Sequence, residues 1–240
     1  MPHRAVSLRS VLICLSIAAI ACPALAGAAR EFPLFTGPGG QLVSKISRNR
    51  ILAWGDPGPL PWTREIQVYD LYKDAWAPVP TVPDAAILQA DICEDTVVWT
   101  HDVGPRDEEG RPTETHIYAT NLSTDEVYPV HIGPGWHICP RVSSEFIVWF
   151  EYRDPDRAIV DIYSYDRSSG TVSPVCPRPE GYDDKGLALF GSRAVWAQFL
   201  GGPDSNMHAC DLATGDHFTI SVDTEVDHLA LWGDSLVFTT

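Results

Sequence analysis

Positive charge is scarce in this chain. Lys and Arg number 17 against 32 for Asp and Glu, a net of −15. A surface this acidic repels phosphate backbones and anionic lipid, which excludes nucleic-acid binding as a reading. Helical pattern is missing too, since no window carries apolar residues at the spacing a long amphipathic helix needs. Past the N-terminus no apolar run is long enough to span a bilayer. The motifs of common catalysts are also lacking. There is no Gly-x-Ser-x-Gly, no His-Glu-x-x-His and no Gly-rich loop leading into Lys-Ser or Lys-Thr. No two cysteines have the short spacing of a zinc site.

What remains is 240 residues with 45% hydrophobic and 20% charged, enough apolar surface for a real core. The 20 prolines and 18 glycines follow no collagen-like period, so they mark turns. Together these features describe a soluble, acidic, all-β protein.

Residues 1–26 read as a signal peptide. Arg4 and Arg9 open it, Val11 to Ala21 is apolar, and Ala24-Leu25-Ala26 places small residues before Gly27. Export to the periplasm, the cell surface or the medium is expected, with no transmembrane segment in the mature chain. A minor alternative is lipoprotein anchoring at Cys22, because Ala19-Ile20-Ala21-Cys22 is a loose lipobox without its usual Leu. Cleavage before Gly27 leaves Cys93, Cys139, Cys176 and Cys210. These form two disulfides in one of three pairings, or remain four buried thiols.

The rest, residues 31–240, is repetitive. Apolar runs end at Trp54, Trp99, Trp149 and Trp196, with Phe238 in the same slot, at spacings of 45, 50, 47 and 42. After each of the first four comes an alternating segment: Ile66 to Leu71, His116 to Leu122, Asp161 to Asp166 and His208 to Leu212. Each enters a polar turn and then a short strand. Every unit thus reads as four short strands a, b, c and d. Tandem four-stranded units of this length fit β-propeller blades; the competing stack of small sandwiches fails because one unit cannot bury its own core.

The third repeat carries a resemblance. Pro140 to Trp149 is similar to the Pro-x-Ile-Ser-Gly-x-x-Val-Val-Trp strand pair of TolB-like propeller repeats, and Asp161 to Gly170 resembles their Asp-Ile-Tyr-x-Tyr-Asp-Leu-x-Thr-Gly. The second repeat departs from it at Asn121. The resemblance implies the fold of residues 31–240 and brings no catalytic residues.

About five blades are expected, the last incomplete. Phe32 to Phe35 reads as a lone strand d, while Val226 to Ala230 and Ser235 to Thr239 supply only a and b. Strand b of the last blade would then expose an apolar edge. Three explanations stand open: a truncated fragment, a three-stranded closing blade, or a second copy or partner chain that supplies the missing strand.

In such blades the a–b and c–d turns share one face, and here they are tight. The b–c and d–a connections share the other face, and they are long and hold many of the acids and histidines. Two residues beyond each Trp stand Asp56, His101, Glu151 and Gln198, with Thr240 in the fifth slot. On a strand that spacing keeps each beside its Trp near the long-loop rim. Asp56, His101 and Glu151 are therefore the candidate ligands for Ca²⁺ or another divalent cation, a His admitting Mn²⁺ or Zn²⁺. The competing reading has each residue capping its own blade. The remaining histidines, His131 and His137 among them, read as structural. The repeat tryptophans read as packing between blades, whereas Trp62 and Trp136 fall in rim loops as candidate ligand contacts.

The leading functional reading is an exported, non-enzymatic propeller that binds a protein or surface glycan through its long-loop face. Its alternatives are an extracellular polysaccharide lyase or hydrolase with a metal on that face, and a structural surface-layer module.

Overall fold

The computed structural model describes residues 41–55, 65–106, 108, 113–152, 160–175, 186–199, 205–226 and 228–239. Phe32 to Phe35, the leader and its cysteines lie outside them, as do Asp56, Trp62, Cys176 and Thr240. Among the described residues every regular element is a strand, and no helix is long and apolar enough to cross a membrane.

The first sheet holds β1 (Gln41–Ser47), β2 (Arg50–Gly55), β3 (Glu65–Asp70) and β4 (Ala75–Pro78). The second holds β5 (Ala86–Cys93), β6 (Thr96–Asp102), β7 (Thr115–Asn121) and β8 (Glu126–His131). The third holds β9 (Trp136–Val142), β10 (Phe146–Tyr152), β11 (Val160–Asp166) and β12 (Thr171–Pro174). The fourth holds β13 (Leu187–Phe190), β14 (Arg193–Phe199), β15 (Ser205–Asp211) and β16 (His217–Val222). A hairpin of β17 (His228–Trp232) and β18 (Ser235–Thr239) follows. Strands pair in chain order and antiparallel in every sheet, which makes each one a blade.

Each blade is pinned at its tight-turn end by one repeated device. Asp70, Asn121, Asp166 and Asp211 accept the backbone N–H two residues on, at 2.8 to 3.0 Å. An amide oxygen accepts as a carboxylate does, so Asn121 keeps the turn where the repeat loses its Asp. The residue that directly follows the strand, such as Leu122, donates its N–H to the carbonyl of the a–b turn, here Asp95, at 2.7 Å. Gly170 and Gly215 take the left-handed position of the c–d turn at φ of 70° and 78°.

Side chains alternate between two neighbours. Val97 and Trp99 of β6 pack with Leu52, Ile66 and Val68 of the first blade. Val98 between them packs with Val142, Ile147 and Trp149 of the third. Val148 and Phe150 in turn meet Leu187, Ala194 and Trp196 of the fourth. Trp99, Trp149 and Trp196 are each at most 1% exposed.

The register corrects one part of the repeat. Trp99, Trp149 and Trp196 stand opposite Tyr118, Tyr163 and His208, each three residues before its turn Asx. In the first blade the residue opposite the matching Gln67 is Ala53, so Trp54 falls one position late. In the last hairpin Phe238 stands opposite Leu229, as Trp196 stands opposite Leu187 in the fourth blade.

Polar links join the blades near their first strands. The buried Asp91 accepts from Lys45 Nζ and from the Val142 N–H, both at 2.9 Å, tying β1, β5 and β9 together. Arg50 donates to the Glu94 carbonyl at 2.8 Å and to the Asp95 carboxylate; Arg193 repeats this with Asp234. Cys93, Cys139 and Cys210 form no disulfide with one another. Among the described residues β18 pairs only with β17, and Trp232 and Val237 are 78% and 61% exposed there.

Replacing Trp149 with Ala should cost about 3–5 kcal/mol in urea unfolding, because it empties the blade 2–3 interface. Tyr72→Ala, at an 88% exposed turn residue, should stay within about 0.5 kcal/mol. Equal effects would deny the tryptophan its packing role.

Candidate functional site

The long-loop rim gathers its titratable groups where the second blade meets the third. His131 ends β8, the turn Ile132 to Gly135 follows, and His137 is the second residue of β9. Glu151, next to last in β10, stands directly opposite His137 in the antiparallel register. Its Oε2 lies 3.6 Å from His137 Nε2 and 3.9 Å from His131 Nε2. The three donor atoms all fall within 4.8 Å of one another. The two imidazoles meet edge to face with centroids 4.6 Å apart, and His131 also lies 5.4 Å from Trp149.

Thr115, the first residue of β7, sets the orientation of His137. Its hydroxyl donates to the His137 carbonyl at 2.8 Å, the His137 N–H approaches that hydroxyl at 2.6 Å, and Thr115 N–H bonds to the Gly135 carbonyl at 3.1 Å. The His137 ring bonds through Nδ1 to the Thr115 carbonyl. A carbonyl only accepts, so Nδ1 carries the proton and Nε2 presents a lone pair. That Nε2 is buried and has no hydrogen-bond partner among the described residues. Burial pushes the His137 pKa down to about 4, against the raising effect of the Thr115 carbonyl, so the ring is neutral at pH 7. Burial also lowers His131, with the nearby His116 adding to the effect.

The other expected ligands do not converge here. The register puts Gly55 at the position of His101, Glu151 and Gln198, with Asp56 one residue beyond it and outside the described residues. His101 stands opposite His116 on one side and Ile87 on the other, and its ring lies 5.8 Å from Tyr118. Among the described residues it belongs to no group of potential ligands. Gln198 serves its own blade, with Oε1 2.9 Å from His208 Nε2, while Thr219 Oγ1 lies 3.1 Å from Nδ1 of that ring. Trp136 is not a loop residue. It opens β9, half-buried, with its ring 5.0 Å from Tyr152 and packed on the core between the third and fourth blades. His131 and His137 are the members that residue-by-residue comparison of the blades passes over. Their signal is a His-x5-His pair around Gly133-Pro134-Gly135, followed by an acid at the end of the next b strand.

The tight-turn face has a shallow cleft of about 480 Å³ lined by Tyr128, Glu145, Tyr165 and Arg167. Arg167 is committed there to the carbonyls of Ser143 and Ser144 and to Thr96 Oγ1. It offers no open anion site.

No protein-family model and no curated protein matches the chain. Solved structures match in fold. A TolB-type protein of Agrobacterium tumefaciens aligns with a TM-score of 0.51 at 11% identity, over 72% of this chain and 62% of that one. An uncharacterized protein of Listeria monocytogenes gives 0.54 at 12% identity, over 85% and 62%. The chain has a TolB-like β-propeller fold. A prolyl endopeptidase also matches at 0.58 and 14% identity, but this chain covers only 32% of it. The TolB-like chain thus spans about three fifths of the first two proteins. At such identities the likeness extends to fold alone.

Within this TolB-like propeller, His208 tests the capping arrangement of the fourth blade. Burial holds its pKa below the ordinary imidazole value, with His217 adding to the shift. The unfolded chain then binds a proton that the folded chain refuses, so the contribution is complete above about pH 6.5 and is lost as pH falls below it. Stability should decline on acidification through that window, and His208→Gln should flatten the decline. An NMR titration midpoint for His208 at or above about 6.5 would contradict the assignment.

Proposed function

We propose that this chain is an exported, non-enzymatic β-propeller scaffold that binds a protein or surface glycan through its long-loop face. The observation that carries this reading is the asymmetry of the two faces. At the tight-turn face the Asx residues and Arg167 are spent on the fold. At the other face His101, His116, His131, His137, Asp102 and Glu151 collect at strand ends. Exposed apolar residues stand among them, Val103 at 40% and Ile132 at 56% exposure. Rim loops on a rigid scaffold are the usual place for recognition. The charge excess of acids points to a neutral or basic partner. Export rests on the pattern of residues 1–26.

A second reading, the metal-dependent polysaccharide lyase or hydrolase, draws on the two histidines and the carboxylate at the rim. It requires turnover that a chelator abolishes.

Photo-crosslinking in the source cells separates the faces. A benzophenone amino acid placed at Val103 or Ile132 should yield adducts, whereas one at Tyr72 or Ser169 on the tight-turn face should not. Adducts from Tyr72 and Ser169 alone, or from none of the four positions, would overturn the assignment of the working face. Polysaccharide cleavage that EDTA abolishes would replace the scaffold reading by the enzymatic one.

A further inference from the structure

The geometry points to a binding site for one first-row transition-metal ion, of the zinc type, formed by His131, His137 and Glu151 at the junction of the second and third blades. The inference does not depend on the scaffold reading, since it stands on the donor atoms themselves.

The decisive atom is His137 Nε2. It is a bare lone pair, because Nδ1 holds the ring proton against the Thr115 carbonyl. The residue is 0% exposed, and nothing among the described residues bonds to that nitrogen. It faces a carboxylate oxygen of Glu151 at 3.6 Å, and an ionised carboxylate also only accepts. Both atoms offer lone pairs toward the same point, and that of His137 Nε2 has no partner among the described residues. A metal ion there satisfies the His137 lone pair and takes the Glu151 oxygen as a second ligand.

The distances suit such an ion. Bonds of ~2.1 Å at tetrahedral angles hold ligand atoms ~3.4 Å apart. The Glu151 oxygen is 3.6 and 3.9 Å from the two nitrogens and all three donor atoms lie within 4.8 Å of one another, so closure needs an inward turn of His131. His131 is the ligand able to make it, its side chain being 24% exposed while that of His137 is 0%.

Two imidazoles and one carboxylate also select among metals. Ca²⁺ and Mg²⁺ prefer full oxygen shells, whereas imidazole suits Zn²⁺, Cu²⁺, Ni²⁺ and Fe²⁺. The orienting bond from the second ring nitrogen to a backbone carbonyl is the arrangement that metal-binding histidines commonly have. Three protein ligands leave a coordination position toward the open His131 side. The turn between the histidines is shaped to admit the ion. A Cβ on Gly133 would come within 3.1 Å of His131 Nε2, and one on Gly135, at φ 113°, within 3.0 Å of the Tyr152 carbonyl.

The test uses the untagged full chain stripped with a chelator and titrated with ZnCl2 against a chromophoric competitor. One equivalent should bind saturably, the thermal midpoint should rise with zinc, and Co²⁺ should give the visible bands of a tetrahedral site. Glu151→Gln and His131→Ala should each weaken zinc at least tenfold. His131→Ala also removes a ring that lies against Trp149 and His137, so zinc affinity is read well below the metal-free thermal midpoint of each variant. Gly133→Ala should weaken zinc as well, by crowding His131. Absence of saturable uptake would overturn the site, and so would equal uptake by native protein and both ligand variants. Crosslinking from the rim is a separate readout, so failure of one proposal leaves the other intact.

Discussion

A four-stranded antiparallel blade has two faces, and in this chain both are apolar, so no blade is stable without a neighbour on each side. The large side chain at the end of strand b answers that constraint. Trp99, Trp149 and Trp196 fill the space toward the preceding blade, while the intervening Val98 and Val148 face the following one. The rim chemistry depends on this packing. Once Trp149 is locked against the second blade, the residue two positions on emerges on the same side of the strand. That residue is Glu151, and the second blade's last strand brings His131 to within 5.4 Å of the same tryptophan ring. A loss of packing at Trp149 therefore disperses the site as well as the core.

The two ends of each blade carry different work. At the tight-turn end the Asx residue, the left-handed turn position and the backbone bond to the a–b turn recur almost unchanged. Such local bonds hold the hairpins without help from the opposite rim. The long-loop end is then free to vary in residue type. Its clamp at Thr115 is not one of the repeated devices: it joins strand c of one blade to strand a of the next through three backbone-linked contacts.

Much of the fold is legible in the sequence because its signals are periodic. Strand alternation, polar turns and recurring tryptophans locate the four-stranded units, and the pairing follows chain order. Trp54 misleads because residue identity is a weaker guide than register. Counting back from the turn at Asp70, the tryptophan slot is filled by Ala53. The same single-residue offset puts Asp56 out of line with Glu151. Trp136 misleads for another reason: a d–a connection ends where pairing begins, and Trp136 already pairs with Tyr152. The histidines of the site were hidden because comparing equivalent positions treats blades one at a time. His131 and His137 belong to different blades and different strands, joined by the short turn Ile132 to Gly135, and the packing of the two sheets sets Glu151 against both.

The same logic explains why, among the described residues, the rim holds one such group. The slot beyond the tryptophan is Gly55, His101, Glu151 and Gln198 in successive blades. Each would need a ligand opposite it on strand a. Opposite Glu151 stands His137, but opposite His101 stands Ile87, an apolar residue that offers no lone pair. Gln198 is already engaged by His208 within its own blade. Repetition therefore supplies the address, two residues past the tryptophan slot, in successive blades. The chemistry appears only where the facing strand and the preceding blade both supply an imidazole, and among the described residues that condition is met at the junction of the second and third blades.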